Sequence, residues 1–294
     1  MSKKFLISFC NNKTHIKSNG TGYFGLLTVD VKNQNYKFED LHLNLPADLT
    51  GNGITGMCLH NNQIVLLLQR MPSTLVFLDK AFNFIDYWPI ENIRGVHSIL
   101  SKNNEIYLSV TNQDKIIAIN TEKKIKEVWT KNTEKDTIHL NSICLHKKLV
   151  HATAFGPKAS ELWSSAQSGM LFNINSNNVI INNIWHPHSS FSFNGELYCC
   201  DSSNQRVIGE NTVLLKNLPG YSRGLFIDEN MILCGSSQGR QVSHSTGVKI
   251  SNKSDKGKIA GQCGLTVHFK ESQLTKFIDF NNKALEVFDI LQVN

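Results

Sequence analysis

The sequence predicts an all-β protein that folds as a single β-propeller. A unit made of a strand, a tight polar turn and a second strand returns every 35 to 50 residues along the chain. Further β-rich runs follow each copy, which gives about four strands per unit, and helical periodicity is almost absent. Short strands that repeat at this spacing are typical of folds that arrange their sheets radially around an axis.

Five copies of the unit are explicit, and they begin at Thr55, His97, His139, His188 and Arg223. In four of them the first residue stands six positions before the turn, whereas the copy at His139 is out of phase by a residue or two. The shared spacing indicates that the same residue of each first strand lies at the same level of the fold.

The N-terminal residues belong to one more unit. Residues 5–9, 23–29 and 36–41 supply three strands, and residues 285–291 at the other end of the chain supply the missing inner strand. We therefore expect six four-stranded blades closed by the C-terminal strand, with five and seven blades as alternatives.

The repeats leave no domain boundary. A ring of blades is one cooperative object, so we expect a single domain over residues 1–294. One segment, residues 241–262, is rich in Ser, Lys and Gly and interrupts the last unit as a loop insertion. It is either a disordered insertion or a mobile cover over one end of the ring.

Charge and composition exclude several classes of protein. The 30 Lys and Arg residues are scattered against 24 Asp and Glu residues, without the concentrated basic face that nucleic-acid binding needs. No stretch reaches the roughly 18 consecutive apolar residues of a membrane-spanning helix. The seven cysteines include no C-x-x-C pair, and the start of the chain does not resemble a secretory signal, so we expect reduced, buried thiols in a cytoplasmic protein.

The first strands of the units carry the candidate site. In a propeller the inner strand of each blade runs along the central channel, so residues that begin these strands converge on the axis. Three of these roughly six positions are histidines, in a chain that contains only 11. The others are Thr55, Arg223 and Glu286, with Asn141 as the alternative to His139.

Neutral imidazoles are the commonest protein ligands of Zn, Fe, Cu and Ni. We therefore assign His97, His139 and His188 as ligands of a divalent transition metal, either Zn, Fe or Mn. Glu286 would be the fourth ligand or the general base, and His186 competes with His188. For each histidine alone, the alternative is a channel-lining side chain bonded to backbone or water.

Two arginines complete the candidate catalytic set. Arg223 would provide a fixed cation for an anionic substrate or a developing oxyanion, because its planar guanidinium carries several donors. Arg240 follows the second strand of the last unit, where it approaches the channel mouth, unless it is a solvated surface residue.

Two formal motif matches are rejected. Residues 51–56 satisfy G-x-G-x-x-G, but they lead into a strand, so no helix N-terminus is available for a pyrophosphate. Residues 235–239 satisfy G-x-S-x-G, but a nucleophile elbow requires a following helix, and the next residues are loop-like.

Several short elements from about His97 to the C-terminus resemble a family of uncharacterised bacterial proteins. Residues 139–142 are similar to its His-Leu-Asn-Gly element, and residues 187–189 to its Pro-His-Ser element. Residues 218–225 are similar to Leu-Pro-Gly-Phe-Thr-Arg-Gly-Leu, and residues 286–290 to Glu-Ile-Phe-Asp-Val. Ser142 and Ser190 depart from the family's glycine and proline.

This resemblance implies a propeller fold of unknown function and marks six positions of the candidate site. They are His97, His139, His188, Arg223, Arg240 and Glu286. It supplies no reaction.

These observations lead to two classes of function. The first is a metal-dependent enzyme that acts on a small polar or anionic metabolite by hydrolysis, elimination or isomerisation. The alternative is a non-catalytic propeller that binds a protein, a peptide or, through channel aromatics, a sugar. Neither class involves nucleic acid or a membrane.

Overall fold

A computed structural model describes residues 2–10, 24–132, 135–238 and 261–294. Within these ranges the chain forms 24 β-strands and three single 3-10 turns, and no α-helix. The all-β prediction is confirmed. No helix long and apolar enough to cross a bilayer occurs in these ranges.

Strands β1 to β11 make up the first half of the chain. The N-terminal group contains β1 Ser2–Cys10, β2 Phe24–Asp30 and β3 Asn35–Asp40. The second group contains β4 Ile54–His60, β5 Gln63–Leu68, β6 Thr74–Leu78 and β7 Phe84–Pro89. The third contains β8 Val96–Lys102, β9 Glu105–Val110, β10 Lys115–Ile119 and β11 Ile125–Thr130.

Strands β12 to β24 follow in the second half. The fourth group contains β12 Leu140–His146, β13 Leu149–Ala154, β14 Gly169–Asn173 and β15 Val179–Ile184. The fifth contains β16 Pro187–Phe193, β17 Glu196–Asp201, β18 Arg206–Gly209 and β19 Val213–Leu215. The last strands are β20 Tyr221–Ile227, β21 Met231–Ser237, β22 Gly264–Phe269, β23 Leu274–Asp279 and β24 Glu286–Gln292.

The strands form antiparallel sheets in a propeller-like arrangement. Four sheets are separate four-stranded blades: β4 to β7, β8 to β11, β12 to β15 and β16 to β19. The other eight strands form one sheet in the order β23-β22-β21-β24-β1-β2-β3, with β20 paired to β21. Strands β4, β8, β12, β16 and β20 are each joined to the next strand of the chain by a turn of two or three residues, as the alternating strand and turn pattern predicts.

The expected closed ring of six separate blades is therefore wrong, because only four blades are separate. Strand β24 pairs with β1 along its length. The sequence predicts this placement, because it assigns the C-terminal run to the N-terminal unit as its inner strand. In addition, Ser237 of β21 pairs with Glu286 of β24. This backbone pair joins β20 to β23 with β24 and the N-terminal strands β1 to β3 in one eight-stranded sheet.

Apolar side chains fill the spaces between neighbouring sheets. Val65 and Leu67 of β5, for example, pack in one cluster with Leu108 of β9 and Ile117 of β10. Because such strands are covered by a neighbouring sheet on each face, apolar residues occupy both faces and form nearly continuous hydrophobic runs in the sequence. All seven cysteines are buried thiols within these layers, as expected.

The innermost strands β4, β8, β12, β16, β20 and β24 lie side by side around a central cavity, with β24 also beside β4. Each of these six strands contains one extra residue relative to its paired neighbour, which is a β-bulge. A bulge removes residues from the ladder and redirects their side chains. The bulge positions are Thr55, His97, Asn141 with Ser142, Ser189 with Ser190, Gly224, and Phe288 with Asp289.

Candidate functional site

The bulges surround a cavity of about 130 Å³ on the channel axis. This volume accommodates several water molecules or a small ligand. Its polar wall consists of Thr55, His97, Ser98, Asn141, Ser142, His188, Ser189, Ser190 and Asp289. One apolar residue from each innermost strand also borders it, namely Met57, Ile99, Ile143, Phe191, Leu225 and Ile290, together with Phe288.

Serine side chains at or next to the bulges connect β8 to β12, β12 to β16 and β16 to β20. Ser98 Oγ accepts a hydrogen bond from the backbone N–H of Ile143, and Ser142 Oγ accepts one from Ser190. Ser189 Oγ accepts one from Gly224. The last two bonds satisfy backbone donors that the bulges remove from the ladder, and all three fix the relative heights of neighbouring strands.

His139 lies next to His97, which lines this cavity, but His139 is not itself one of the lining residues. Their ring centroids are 5.4 Å apart in an edge-to-face arrangement. Asn141 Nδ2 donates to His97 Nδ1 across 3.3 Å. His97 itself is the bulge residue of β8, so its side chain is displaced from the regular alternation of that strand.

His139 precedes β12 with a positive φ of 51°. Its Nδ1 lies 3.0 Å from Oδ2 of Asp136, a carboxylate that can only accept, so Nδ1 carries the proton. The ring packs between Phe155 and Trp163, with centroid distances of 4.5 and 4.6 Å. The Asp136 contact therefore orients the ring and leaves Nε2 as the unprotonated nitrogen of neutral His139.

His188 is oriented in the same way at the start of β16. Its Nδ1 donates to the carbonyl oxygen of His186 and to Ser202 Oγ, both at 2.9 Å, and Ser202 Oγ in turn donates to the carbonyl of Ser222. His188 Nε2 is buried and has no hydrogen-bond partner among the described residues.

Electrostatics keep His188 uncharged. Burial lowers the pKa of His188 well below its usual value, and the positive charge of Arg223 lowers it further. Charges on His139 and His97 act on the pKa in the same direction. At neutral pH this imidazole is a neutral base with a free lone pair on Nε2.

Phe155 separates part of the predicted ligand set. Its ring lies 4.5 Å from that of His139 and 5.2 Å from that of His188. It also stacks on His186 at 4.8 Å, and His186 Nδ1 lies 2.6 Å from Ser203 Oγ. The structure thus places His97 against His139, and His188 on the other side of Phe155, with His186 in the same aromatic cluster.

Arg223 and Glu286 form a buried ion pair. Arg223 Nη1 donates to Glu286 Oε2 across 3.1 Å, and the side chains are 11% and 2% exposed. The guanidinium lies over the rings of Tyr221 and Phe288 at 5.5 and 4.9 Å. No group of three or more His, Cys, Asp or Glu side chains in the described part of the chain is arranged as a ready-made metal site.

The remaining sequence predictions concern Arg240, the loop insertion and the channel aromatics. Arg240 and almost all of the predicted insertion, residues 241–260, are outside the described residues. Trp88 packs on Phe77 and Trp129 on Phe172, away from the cavity wall.

The sequence reasoning missed Asp289, which lies on the cavity wall. Its Oδ2 accepts from the Met57 N–H at 2.8 Å, and its Oδ1 from its neighbour Ile290 at 2.9 Å. Burial raises the pKa of the Asp289 carboxyl to about 7, against the effect of these two hydrogen bonds. No side-chain pattern in the sequence marks this position, because Asp289 reaches the wall through the bulge of β24, which depends on strand pairing.

Residues 90–294 match the family described as a domain of unknown function, DUF4915. The chain belongs to this family. The match covers the described elements from the end of β7 to the C-terminus and all of the predicted metal-binding and catalytic residues. It confirms the resemblance to an uncharacterised family, whose description gives no activity. No curated protein matches the sequence.

Solved structures resemble this member of the family in fold. A crystal structure of a nidogen/laminin complex matches with a TM-score of 0.62 and 8% identity, over 100% of this chain and 99% of that chain. A protein of unknown function from Bacteroides caccae matches with a TM-score of 0.57 and 10% identity, over 99% and 98%. A streptogramin B lyase matches with a TM-score of 0.50 and 11% identity, over 94% and 88%. At these identities the similarity concerns the fold alone.

Proposed function

We propose that this protein is a metal-dependent enzyme whose channel histidines bind a divalent transition metal ion. Its substrate is a small polar metabolite, and the reaction is a hydrolysis, an elimination or an isomerisation. The supporting observation is the shared orientation of His139 and His188. Each Nδ1–H is held by an oxygen acceptor, which leaves Nε2 as the nitrogen with a lone pair.

Metal-binding histidines usually have this arrangement. One ring nitrogen donates to a carboxylate or a backbone carbonyl, and this fixes the tautomer and raises the basicity of the other nitrogen. Asp136 has this role for His139, and the His186 carbonyl has it for His188. The lowered pKa of His188 keeps its imidazole neutral, which is the form that binds a metal.

His97 is the third ligand in this proposal, because its ring lies against that of His139. Metal binding through Nε2 places the proton on Nδ1, so the Asn141 amide must turn its oxygen towards that nitrogen. Three nitrogen ligands with an open position are typical of catalytic rather than structural sites, and Zn, Fe and Mn are the candidate ions. Bringing His188 to the same ion requires the Phe155 ring to move from its position against both His139 and His188.

The ion pair defines the roles of Arg223 and Glu286. Because Glu286 already accepts from Arg223, we assign it to hold the guanidinium in place rather than to complete the metal shell. Arg223 then polarises an oxygen of the substrate, a role that suits its fixed donors. A bound metal would supply an acidified water or polarise a carbonyl.

The proposal includes a cytoplasmic location, which is consistent with seven buried cysteines in the thiol form. The substrate reaches the site through the channel.

The metal content of the purified protein tests this function. Protein prepared without chelator should contain about one equivalent of metal, and His97→Ala and His188→Ala should each lower the affinity at least about tenfold. His151→Ala is the matched control, because His151 is also buried but bonds to Asn173 outside the cavity wall. Metal retained in both site variants, or none bound after incubation with Zn²⁺, Fe²⁺ and Mn²⁺, would overturn the proposal in favour of a non-catalytic binding propeller.

A further inference from the structure

The wall of the channel cavity carries one unbalanced acidic group. Among the described residues that line it, Asp289 is the only Asp or Glu, and none is Lys or Arg. Arg223, the nearby cation, already pairs with Glu286. Apart from the imidazoles of His97 and His188, Asp289 is the one described lining residue whose ionisation sets the formal charge of the cavity wall.

The surroundings of Asp289 do not supply a counter-ion. Its two carboxylate oxygens accept from the backbone N–H groups of Met57 and Ile290, which are neutral donors. The carboxyl is half-buried on the cavity wall, and this burial raises its pKa to about 7. A partly desolvated carboxylate without a cation is costly, and a bound positive charge lowers that cost.

The rest of the polar wall is suited to the same kind of ligand. Ser98 and Ser189 each accept one backbone hydrogen bond through Oγ, which leaves a second lone pair on each oxygen. Asn141 adds an amide oxygen to the wall. The buried His188 adds Nε2, a hydrogen-bond acceptor without a partner among the described residues. The cavity wall is therefore rich in acceptors, and none of the described residues that line it is Lys or Arg.

We propose that the channel cavity binds a positively charged group beside Asp289, either the ammonium group of a small amine metabolite or a hard inorganic cation. An ammonium group offers three donors to the carboxylate and to the neighbouring acceptors. A hard cation prefers the same carboxylate, amide and hydroxyl oxygens. As a statement about substrate class, the amine form rests on the proposed function, whereas the binding itself is independent of a transition metal.

Calorimetric titration of chelator-treated protein at pH 8 tests this binding. The probes are ethylammonium chloride, CaCl₂ and KCl, and ethanol serves as the neutral probe of similar size. A ligand of three heavy atoms is expected to bind with a dissociation constant of about 1 mM at best. We expect ethylammonium or one inorganic cation to bind at least tenfold more tightly than ethanol, and the probe that does so identifies the source of the charge.

Two variants locate the site. Asp289→Asn keeps the side-chain volume but removes the charge, and it should weaken binding of the cationic probe at least tenfold. Asp79→Asn is the matched control, because Asp79 is an exposed carboxylate that caps a surface turn. Equal affinity for ethylammonium, both inorganic cations and ethanol in the unmodified protein would overturn the proposal, and so would unchanged cation binding in Asp289→Asn.

The metal-content experiment is separate, because the titration uses chelator-treated protein. Loss of the transition-metal site with retained cation binding would reject the proposed enzyme and keep the cation site. The opposite result would reject the cation site alone.

Discussion

The guanidinium of Arg223 donates to the carboxylate of Glu286 across 3.1 Å, although 63 positions separate the two residues in the chain. Glu286 begins β24, and Arg223 precedes the bulge of β20, so the pair connects two neighbouring innermost strands. Both side chains are largely buried. A buried ion pair contributes little to folding stability as a whole, but the loss of one partner leaves the other charge buried without a counter-charge.

The first prediction concerns this ion pair. Glu286→Gln should lower the free energy of unfolding by about 3 kcal/mol, because Arg223 then remains buried without a counter-charge. Urea denaturation measures the change. The control Glu39→Gln removes a partner of the exposed pair Lys37–Glu39 and should change stability by less than about 1 kcal/mol. Similar losses in both variants would contradict a special role for burial at Glu286.

The second prediction concerns the orientation of His139. Asp136→Asn should weaken metal binding about tenfold, because the carboxylate that fixes the ring becomes a neutral amide while every imidazole is retained. The comparison variant is Asp86→Asn, since Asp86 is an exposed carboxylate that accepts from the Trp88 indole. Metal titration of the chelator-treated proteins gives both affinities. An Asp136→Asn protein that binds metal as tightly as the unmodified protein would rule out this orienting role.

The third prediction concerns the bonds between bulges. Ser142→Ala removes the Oγ acceptor of the Ser190 N–H, which is fixed at 2.8 Å. The Ser190 N–H then has no acceptor, which should lower the folding stability by about 1–3 kcal/mol. Ser272→Ala breaks a similar bond to Leu274 on the exposed surface, where water replaces the hydroxyl, so its effect should stay within about 0.5 kcal/mol. Chemical denaturation of the two variants distinguishes the cases.

The fourth prediction concerns the pH dependence of stability. The pKa of Asp289 rises from 3.8 to about 7 on folding, so the native state binds its proton more tightly than the unfolded state. The stability that this group contributes is fully present below about pH 4 and is lost as the pH rises to about 7. The difference in unfolding free energy between the unmodified protein and Asp289→Asn should therefore fall over this range, by at most about 1.4 kcal/mol per pH unit.

Other titratable groups near Asp289 are the Cys58 thiol, whose pKa burial raises, and the imidazoles of His97 and His188. They are present in both proteins, so their contributions largely cancel in the difference. Asp79→Asn is a control of opposite sign, because hydrogen bonds from Asn83 lower the pKa of Asp79 and its contribution is lost as the pH falls. A flat difference for Asp289→Asn between pH 4 and 7 would contradict a raised pKa.

The repeat phase in the sequence was sufficient to predict the all-β propeller-like fold and the strands that border the channel. It worked for His97 because the bulge of β8 occurs at that repeat position. It was less accurate for His139, which precedes β12 in a left-handed backbone conformation, so that Asn141 occupies the bulge. A bulge position depends on strand pairing, and hydrophobic alternation does not encode it.

Two features had no signal in the side-chain pattern. The eight-stranded sheet depends on the pairing of Ser237 with Glu286, which uses backbone groups common to all residues. Asp289 lies among apolar residues near the end of the chain, where a single acidic residue in a strand is usually an outward-facing position. Its position on the cavity wall follows from the bulge that it shares with Phe288.

The extra residue in every innermost strand gives two sets of positions different tasks. Side chains in the paired stretches determine how neighbouring sheets pack. Side chains at the bulges of β4, β8, β12, β16 and β24 border the cavity without taking part in the cross-strand ladder. Ligand preference can therefore be re-engineered by exchanging these few positions, while the interlocking apolar layers that maintain the fold are left untouched.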